Sequence, residues 1–165
     1  MNAIVAVDAN WGIGRGNELL FTLRGDLKRF REITTGGTIL LGRKTLETFP
    51  GGRPLPKRRN VVLTKSTHLE LEGATVVHTI DELLDSVKDE DPNSVFVVGG
   101  GTVYTALLPY CKRVYMTRVD ATAGEPDTYF PNLDKLPGWE VEKEEPPIEE
   151  NGITYRFVDY INKNI

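Results

Sequence analysis

Cysteine and histidine are scarce in this chain, and their scarcity limits the chemistry that it can carry. The 165 residues include one cysteine, Cys111, and two histidines, His68 and His78. A single thiol forms no internal disulfide and no thiolate metal cluster, and the two histidines lie far apart in polar stretches. We therefore expect no metal site, and we interpret Cys111 as a packing residue.

Long apolar runs are also absent from the sequence. No stretch approaches the roughly 18 apolar residues of a membrane-spanning helix, so we expect no membrane contact. Residues 1–8 lack the basic segment and the apolar length of a signal peptide, and their pattern predicts a first strand instead. The expected location is cytoplasmic. A chain of 165 residues suits a single domain, 1–165, that folds alone.

Charge is distributed unevenly, although the formal net charge is only −4. Residues 43–65 carry seven Lys or Arg side chains and one Glu, whereas residues 120–150 carry ten acids and two Lys. An acidic protein with one basic stretch is a poor nucleic-acid binder but a reasonable host for a small polyanion. We expect no nucleic-acid partner. A solvated charge run accounts for the same composition.

Apolar blocks alternate with helical patterns along most of the chain. Strands are predicted at 2–8, 38–41, 60–64, 74–77, 95–98 and 113–119, and helices at 24–34, 43–49, 80–88 and 102–108. This order predicts an α/β domain with a central mixed, mostly parallel β-sheet flanked by helices. Residues 139–143 and 154–160 alternate at period two and predict antiparallel C-terminal strands at the sheet edge.

Three predicted strand ends suit a ligand with several phosphates. The strand 95–98 runs into Gly99–Gly101, where the backbone can approach a ligand, and then into a helix start with free N–H groups. The strands ending at Leu41 and Leu63 are followed by cations and hydroxyls at 43–45 and 64–65. Ligands of open α/β sheets bind at such carboxyl ends. A purely structural glycine corner has the same composition.

Two well-known phosphate-binding motifs do not fit these segments. Residues 37–45 resemble a P-loop, but an extra Arg separates the second Gly from the Lys, and the would-be loop has a strand pattern. Residues 12–16 and 99–101 both fail the full glycine pattern of a dinucleotide-binding Rossmann fold. A Rossmann dehydrogenase is therefore disfavoured.

A carboxylate is predicted on the inner face of the helix 24–34. Leu23, Leu27, Phe30 and Ile33 form one apolar arc at helical spacing, and Asp26 falls inside that arc. An Asp in the first turn also complements the positive end of a helix, which is the alternative explanation. The position makes Asp26 the candidate catalytic residue.

A second polar residue, Thr117, is expected to point inward from the strand 113–119. It shares one face of that strand with Tyr115 and Val119. A buried hydroxyl needs a hydrogen-bond partner, and either Asp26 or a ligand would supply it.

Several sets of residues match one protein family in the same order along the chain. They are Gly12-Ile13-Gly14 with Asn17, Asp26-Leu27 with Phe30, Gly42-Arg43-Lys44-Thr45, Arg53-Pro54-Leu55-Pro56 with Arg58 and Asn60, Gly99-Gly100-Gly101 with Tyr104, Thr117, and Asp127-Thr128 with Phe130-Pro131. With them the chain resembles bacterial-type dihydrofolate reductases over essentially its whole length.

The resemblance implies an enzyme that uses NADPH to reduce 7,8-dihydrofolate to 5,6,7,8-tetrahydrofolate. A hydride would pass to pterin C6 and a proton to N5, in support of one-carbon and thymidylate metabolism. The small-molecule partners implied are dihydrofolate and antifolate inhibitors. We expect a monomer.

The resemblance also assigns residues to the substrate. It places the Asp26 carboxylate against the pterin, with Thr117 behind it through water, and makes these two the catalytic residues. The residues implied in substrate binding are Ile4, Val5, Leu27, Phe30, Leu55, Arg58, Val98 and Thr117. Arg58 would clamp the glutamate α-carboxylate as a bidentate fork, while Lys57 and Arg59 are expected to be solvated.

A longer set of residues is implied in NADPH binding. It comprises Ala6, Ile13, Gly14, Gly42, Arg43, Lys44, Thr45, Thr64, Lys65, Gly99, Gly100, Gly101, Thr102, Val103 and Tyr104. Arg43 and Lys65 would contact the phosphates, and a cis peptide bond is expected at Gly99-Gly100. The glycine-rich segment 12–16, leading to Leu19 and Leu20, would form a mobile lid.

The chain departs from the commonest family pattern at two places. Leu20-Phe21 stands where many members have Pro-Trp, and Arg24 stands where a proline is common. The first change removes an indole N–H, which puts in doubt an ordered water of the active site and typical antifolate sensitivity.

Other functions are open at this stage. A pyrimidine reductase of riboflavin synthesis would share the fold and NADPH, and the combination of Asp26, Phe30 and Arg58 favours the folate reaction over it. A non-catalytic nucleotide-binding domain and a purely structural α/β domain are the remaining alternatives.

Overall fold

The structure is a computed structural model that describes residues 1–15, 18–19, 21–122 and 124–165. The strands are β1 (Asn2–Val7), β2 (Gly12–Arg15), β3 (Glu18–Leu19), β4 (Thr38–Gly42), β5 (Arg59–Leu63), β6 (Ala74–Val77), β7 (Val95–Gly99), β8 (Arg113–Val119), β9 (Thr128–Tyr129), β10 (Trp139–Glu144), β11 (Ile148–Glu150) and β12 (Ile153–Asn162). The α-helices are α1 (Arg24–Thr34), α2 (Arg43–Glu47), α3 (Ile80–Val87) and α4 (Gly101–Leu107), and 3-10 turns cover Pro50–Gly52, Pro92–Ser94 and Leu108–Tyr110.

The described strands build a nine-stranded central sheet in the order β10-β12-β8-β1-β7-β4-β5-β6, with β11 paired to β12. All neighbours from β8 to β6 run parallel, and β12 runs antiparallel to β8, β10 and β11. Parallel strands are covered on both faces, which explains their continuous apolar runs. The predicted α/β class with a mixed, mostly parallel sheet is confirmed.

The predicted C-terminal pair is present, but only one of its strands lies at the edge. β12 is hydrogen-bonded on both sides, to β8 on one side and to β10 and β11 on the other, so β12 is not itself an edge strand. The short strand β11 was not predicted. Its three residues are too few to show an alternating pattern.

Helix boundaries agree with the predictions to within one residue, except at the end of α2. α1 covers the predicted range, whereas α2 ends at Glu47 rather than at residue 49. Pro50 follows, and the residue before a proline disfavours helical backbone. α3 begins after Thr79, whose hydroxyl accepts the Glu82 backbone N–H at 3.1 Å.

The glycine-rich segment expected to be a loop is partly a strand. β2 pairs with β3 and β9 in a separate three-stranded sheet. The turn before β2 is held by Asp8, whose Oδ1 accepts the backbone N–H groups of Asn10 and Gly12, each at 2.8 Å. Gly16, Asn17 and Leu20, which belonged to the predicted lid or to the family match, lie outside the described residues. Lid motion stays a prediction.

Successive residues of β1 face opposite sides of the sheet and enter different cores. Val5 packs in the core that contains Leu40 and Val97, whereas Ile4 packs in the core that contains Ile39, Leu41 and Phe96. The partly buried Phe30, Leu55 and Val98 pack against the second core. This second face of the sheet therefore carries the candidate site. None of the described helices has the length and apolarity to span a membrane.

Candidate active site

The Asp26 carboxylate in the first turn of α1 is bonded to the central sheet. Thr117 of β8, only 2% exposed, donates a hydrogen bond from Oγ1 to Asp26 Oδ1 at 2.6 Å. The sequence predicted Asp26 or a ligand as the partner of this hydroxyl, and Asp26 is the partner. The resemblance implied a water between the two residues, but the contact is direct.

Burial raises the pKa of Asp26 above its usual range. Loss of solvation is the largest cause, and the negative charge of Glu150 acts in the same direction. The hydrogen bond from Thr117 and the positive charge of Arg29 lower the pKa but do not outweigh burial. Asp26 therefore keeps its proton to higher pH than a solvated aspartate, as a group that exchanges protons with a ligand should.

The predicted apolar arc of α1 is divided between two environments. Phe30 and Ile33 pack on the face of the sheet that contains Ile4, and Leu27 is 46% exposed beside Asp26. Leu23 precedes the helix and packs instead in a third cluster, with Val119, Tyr155 and Phe157. The open side of α1 thus presents a carboxylate next to an apolar surface.

The expected substrate-binding residues do not all lie on one face. Ile4, Phe30, Leu55 and Val98 share the face described above. Val5 points to the opposite core because adjacent residues of a strand alternate. Its predicted place in the pocket stays a prediction, with Ile4 the better placed of the two.

Arg29, one turn after Asp26, anchors α1 to β12. Its guanidinium forms an ion pair with Asp159 at 2.9 Å and lies 4.2 Å from the centroid of the Phe157 ring. Both charged side chains are mostly buried, at 17% and 15% exposure. The role of Asp159 is not visible in the sequence, because an acid in an alternating strand carries no sign that its partner lies far away in the chain.

Arg58 is held beside the last turn of α1. Its Nε donates to the Pro56 carbonyl at 2.9 Å, and Nη1 donates to the Thr34 hydroxyl at 3.2 Å. Burial, together with the positive charge of Arg31, lowers the pKa of Arg58, yet an arginine remains charged at neutral pH. The guanidinium is therefore oriented with donors to spare for an anion.

Asn60 fixes the loop that carries Leu55 and Arg58. Its Nδ2 donates to the carbonyls of Leu55 and Arg58 at 2.9 and 3.0 Å, and its Oδ1 accepts the Leu55 N–H at 3.0 Å. Sequence analysis noted Asn60 only as a family match and gave it no role. The available signal was an amide at the first position of a buried strand.

Arg59, which was expected to be solvated, is exposed but also has hydrogen-bond partners in the protein. Arg59 Nη1 donates to Glu90 Oε2 and to the Ser86 carbonyl, both at 2.8 Å. The side chain of Arg59 therefore ties β5 to the end of α3, on the side away from Arg58. Lys57 is exposed, as expected.

The carboxyl ends of β7, β4 and β5 lie side by side, as predicted, because these strands are parallel neighbours. The cis peptide bond expected at Gly99-Gly100 is present. Gly99 has φ 139°, and a Cβ there would stand 2.9 Å from Thr45 Oγ1; one on Gly101 would stand 2.5 Å from Thr128 Cγ2. The glycines thus let the end of β7 approach α2 closely, and the start of α4 approach β9 closely.

A cavity of about 660 Å³ opens beside the start of α4. Its lining consists of Gly101, Thr102, Thr105, Ala106, Asp127, Thr128 and Tyr129. A volume of this size accommodates part of a dinucleotide. Gly101 and Thr102 were predicted to bind a cofactor, whereas Thr105, Ala106 and Tyr129 were not, because their residue types carry no binding signal.

The remaining candidate cofactor residues differ in accessibility. Those that are exposed or half-buried are Ala6, Ile13, Gly14, Gly42, Arg43, Lys44, Thr45, Lys65 and Gly100. Arg43 also makes a weak exposed ion pair with Glu47 at 3.8 Å. The cations beyond the strand ends are thus free to approach an anion.

Besides Gly99, three candidate cofactor residues are buried. Val103 and Tyr104 lie in the core, and the Tyr104 hydroxyl donates to the Ile4 carbonyl at 2.7 Å. Thr64 is also buried, and its hydroxyl accepts the Ser66 N–H at 3.1 Å. Direct cofactor contact by these three stays a prediction. Among the described residues, no group of three or more His, Cys, Asp or Glu is arranged for a metal ion.

Comparison with known proteins gives one consistent result. A family model described as dihydrofolate reductase matches residues 1–162. A dihydrofolate reductase of Bacillus subtilis is 40% identical over 163 residues, covering 98% of this chain and 94% of its own length. One of Mycobacterium tuberculosis is 40% identical over 153 residues, with 90% and 89% covered.

A solved structure agrees with the sequence relatives. The dihydrofolate reductase from Enterococcus faecalis, complexed with NADP(H) and RAB-propyl, superposes with a TM-score of 0.86 at 34% identity. The match covers 98% of this chain and 95% of that one. The similarity therefore extends over the whole arrangement of strands and helices that carries the site.

The loop held by Asn60 gives a stability prediction. Asn60→Ala removes three hydrogen bonds and leaves backbone groups of Leu55 and Arg58 unpaired, so we expect the free energy of unfolding to fall by about 2 kcal/mol. Urea denaturation measures the change. The control is Asn10→Ala, on an exposed side chain, for which we expect a change within about 0.5 kcal/mol. Equal effects in the two variants would contradict the role of Asn60.

Proposed function

The chain belongs to the dihydrofolate reductase family, and from that premise we propose that Asp26 and Thr117 are the catalytic residues of its reaction. The protein is an NADPH-dependent oxidoreductase that reduces dihydrofolate to tetrahydrofolate. The observation that carries the assignment of the site is the 2.6 Å hydrogen bond between the two side chains, next to an apolar face.

Asp26 controls the proton that N5 of the pterin must gain. Its raised pKa keeps a proton on the carboxyl group to higher pH than in a solvated aspartate, and Thr117 donates to Oδ1, which leaves the other carboxyl oxygen for the amidine-like edge of the pterin. A cationic pterin stabilises the charged form of Asp26 as the proton is used. Water is the immediate donor to N5, under the influence of this carboxyl.

The rest of the folate is held by residues that flank Asp26. Leu27 and Phe30 on α1, with Leu55, Ile4 and Val98, form the apolar walls for the ring and the aminobenzoyl group. Arg58 clamps the glutamate α-carboxylate, because its guanidinium is already oriented by Pro56 and Thr34. Preorganisation of this kind lowers the entropy lost on binding.

The described residues fit NADPH on the opposite side of the site. Bound NADPH supplies the hydride that passes to pterin C6. The cavity beside α4 and the backbone at Gly99–Gly101 would hold the dinucleotide, Ala6 and Ile13 would border the nicotinamide, and Arg43 and Lys65 would contact phosphates. Exclusion of water from the reacting atoms is the task of the segment 12–15.

The alternative functions have less support. A pyrimidine reductase of riboflavin synthesis needs no clamp for a glutamate tail, whereas Arg58 is fixed in an orientation suited to one. A non-catalytic nucleotide-binding domain gives no reason to bury a carboxyl group of raised pKa. Mixing the protein with NADPH and dihydrofolate and following the loss of cofactor absorbance separates these possibilities.

We also propose that the protein acts as a cytoplasmic monomer with small-molecule ligands alone. The folate-type substrate and antifolate inhibitors are such ligands. Net acidity argues against nucleic acid, since the formal charge of the chain is −4 and one stretch, 43–65, is strongly basic. Size-exclusion chromatography with light scattering tests the monomer.

Replacement of the catalytic carboxyl tests its role directly. Asp26→Asn keeps an acceptor for the Thr117 hydroxyl but cannot ionise, so we expect hydride transfer at pH 7 to fall by about 100-fold. The melting temperature should be unchanged or higher, because the raised pKa means that the charged carboxyl destabilises the fold above that pKa. Stopped-flow single turnover and calorimetry measure the two effects.

Removal of the hydrogen bond from Thr117 tests the direction in which the pH dependence of hydride transfer shifts. Since this bond lowers the pKa of Asp26, Thr117→Val should raise it further. Hydride transfer, which falls as Asp26 loses its proton, should then persist to higher pH in Thr117→Val and lose this dependence in Asp26→Asn. A wild-type pH profile in both variants would exclude Asp26 from the mechanism.

Substitution of the clamp separates binding from chemistry. Arg58→Lys keeps the charge but loses the bidentate fork, so we expect KM for dihydrofolate to rise by about tenfold with kcat nearly unchanged. Lys57→Asn is the matched control, because it removes a charge from the same loop at an exposed residue with φ 63° that Asn tolerates. A similar rise in KM in both variants would contradict the clamp.

Substitution of Arg43 and Lys65, the cations beyond the strand ends, tests their proposed role in binding NADPH. Arg43→Ala combined with Lys65→Ala should raise KM for NADPH by about tenfold and leave KM for dihydrofolate unchanged, with a smaller difference at high salt. Lys88→Ala, on an exposed lysine paired with Asp85, is the control for lost charge. An unchanged KM for NADPH in the double variant would remove these residues from the cofactor site.

A further inference from the structure

The N-terminus of α1 is capped by a residue from the far end of the chain. Leu23 at the N-cap position provides no side-chain hydrogen bond. Instead Glu150 of β11 accepts the backbone N–H of Arg24 at 2.7 Å through Oε2 and that of Gly25 at 3.1 Å through Oε1. Two of the free N–H groups that begin every helix are thus satisfied by one carboxylate.

The local sequence of α1 is suited to this contact. A proline at position 24, common in the family, has no N–H and would remove the 2.7 Å hydrogen bond. At position 25, a Cβ would stand 2.1 Å from the Tyr155 hydroxyl, so a residue larger than Gly would displace Tyr155. Tyr155 in turn donates to Glu150 Oε1 at 3.4 Å. Arg24, Gly25, Tyr155 and Glu150 therefore form one interlocking unit.

We propose that Glu150 is a positioning residue for the reaction: as a remote cap it fixes the first turn of α1 and with it the Asp26 carboxylate. Gly25 is the residue before Asp26, so the hydrogen bond to its N–H acts directly on the backbone of the catalytic turn. The inference rests on the proposed role of Asp26.

The charges around Asp26 indicate a second effect of the cap. Its surroundings include Thr117 from β8, Arg29 paired with Asp159, Glu150 from β11, and the hydroxyls of Tyr104 and Tyr155. Hydrogen bonds from Arg24 and Gly25 hold the pKa of Glu150 below its usual range, so Glu150 is charged at neutral pH. That negative charge raises the pKa of Asp26, in opposition to Arg29.

Amide hydrogen exchange tests the cap without reference to activity. In Glu150→Ala, the N–H groups of Arg24 and Gly25 lose their acceptor, so we expect both to exchange at least about tenfold faster than in the wild type. The matched control is Glu149→Ala, which removes an exposed acid from the same strand and should leave both rates unchanged. Unchanged exchange in Glu150→Ala would overturn the proposal.

Kinetics test the effect on the catalytic turn. We expect single-turnover hydride transfer to fall by about fivefold in Glu150→Ala, with no change in Glu149→Ala. Glu150→Gln keeps one acceptor oxygen but loses the charge, so its rate should be closer to that of the wild type while its pH profile moves to lower pH. A loss of thermal stability with the wild-type rate and pH profile would reduce Glu150 to a purely structural residue and overturn the proposal.

A double-mutant cycle between positions 150 and 24 tests whether the backbone N–H of Arg24 mediates the effect of Glu150 on hydride transfer. Arg24→Pro removes the N–H that Glu150 accepts, and proline is well tolerated at the first position of a helix. We expect Glu150→Ala to slow hydride transfer less in the Arg24→Pro background than in the wild type, because part of the interaction is already lost. Additive effects would contradict the contact. Failure of Asp26→Asn to alter the pH profile would refute the proposed function alone, since the exchange experiment does not depend on it.

Discussion

The hydrogen bond from Thr117 to Asp26 is the interaction on which the site depends, because it joins the first turn of α1 to a buried strand of the sheet. Loss of solvation makes the ionised carboxyl costly, and one hydroxyl offsets that cost only in part. The folded protein therefore loses stability as pH rises from the usual pKa of an aspartate through the raised pKa of Asp26. A positively charged ligand stabilises the ionised carboxyl group. The buried charge that destabilises the free protein therefore favours binding of such a ligand.

Topology places the two halves of the site on different parts of one sheet. In the function that we propose, the substrate lies beside α1, where Asp26 is bonded to Thr117 of β8, and the cofactor lies at the carboxyl ends of β7, β4 and β5. β1 and β7 are parallel neighbours, so the two halves meet where these strands end. Hydride transfer requires two ligands in contact, and a continuous sheet fixes their relative position without a flexible link.

Sequence reasoning succeeded where a residue contradicts its local pattern. Asp26 in an apolar arc and Thr117 on an inward strand face are polar residues among apolar neighbours, and the apolar runs of the parallel strands are visible without any knowledge of their partners. It failed where the information is held in the tertiary structure. Asp159 and Glu150 look like ordinary surface acids, and Asn60 has only the signal of an amide at the start of an apolar strand. The fold reveals the guanidinium, N–H and carbonyl groups that these three residues bind.

The antiparallel end of the chain has a role that its position at one side of the sheet conceals. Glu150 binds the first turn of α1, and Asp159 binds Arg29 one turn later, so both anchors of the catalytic helix come from β11 and β12. Each anchor is an acid. Asp159 is paired with Arg29 and weakens the effect of the Arg29 charge on Asp26. Glu150 is bonded to neutral N–H groups, so its own negative charge is not neutralised. The same strands that hold α1 in place therefore also set how readily Asp26 binds a proton. A change in either strand would alter both the position of α1 and the pKa of Asp26.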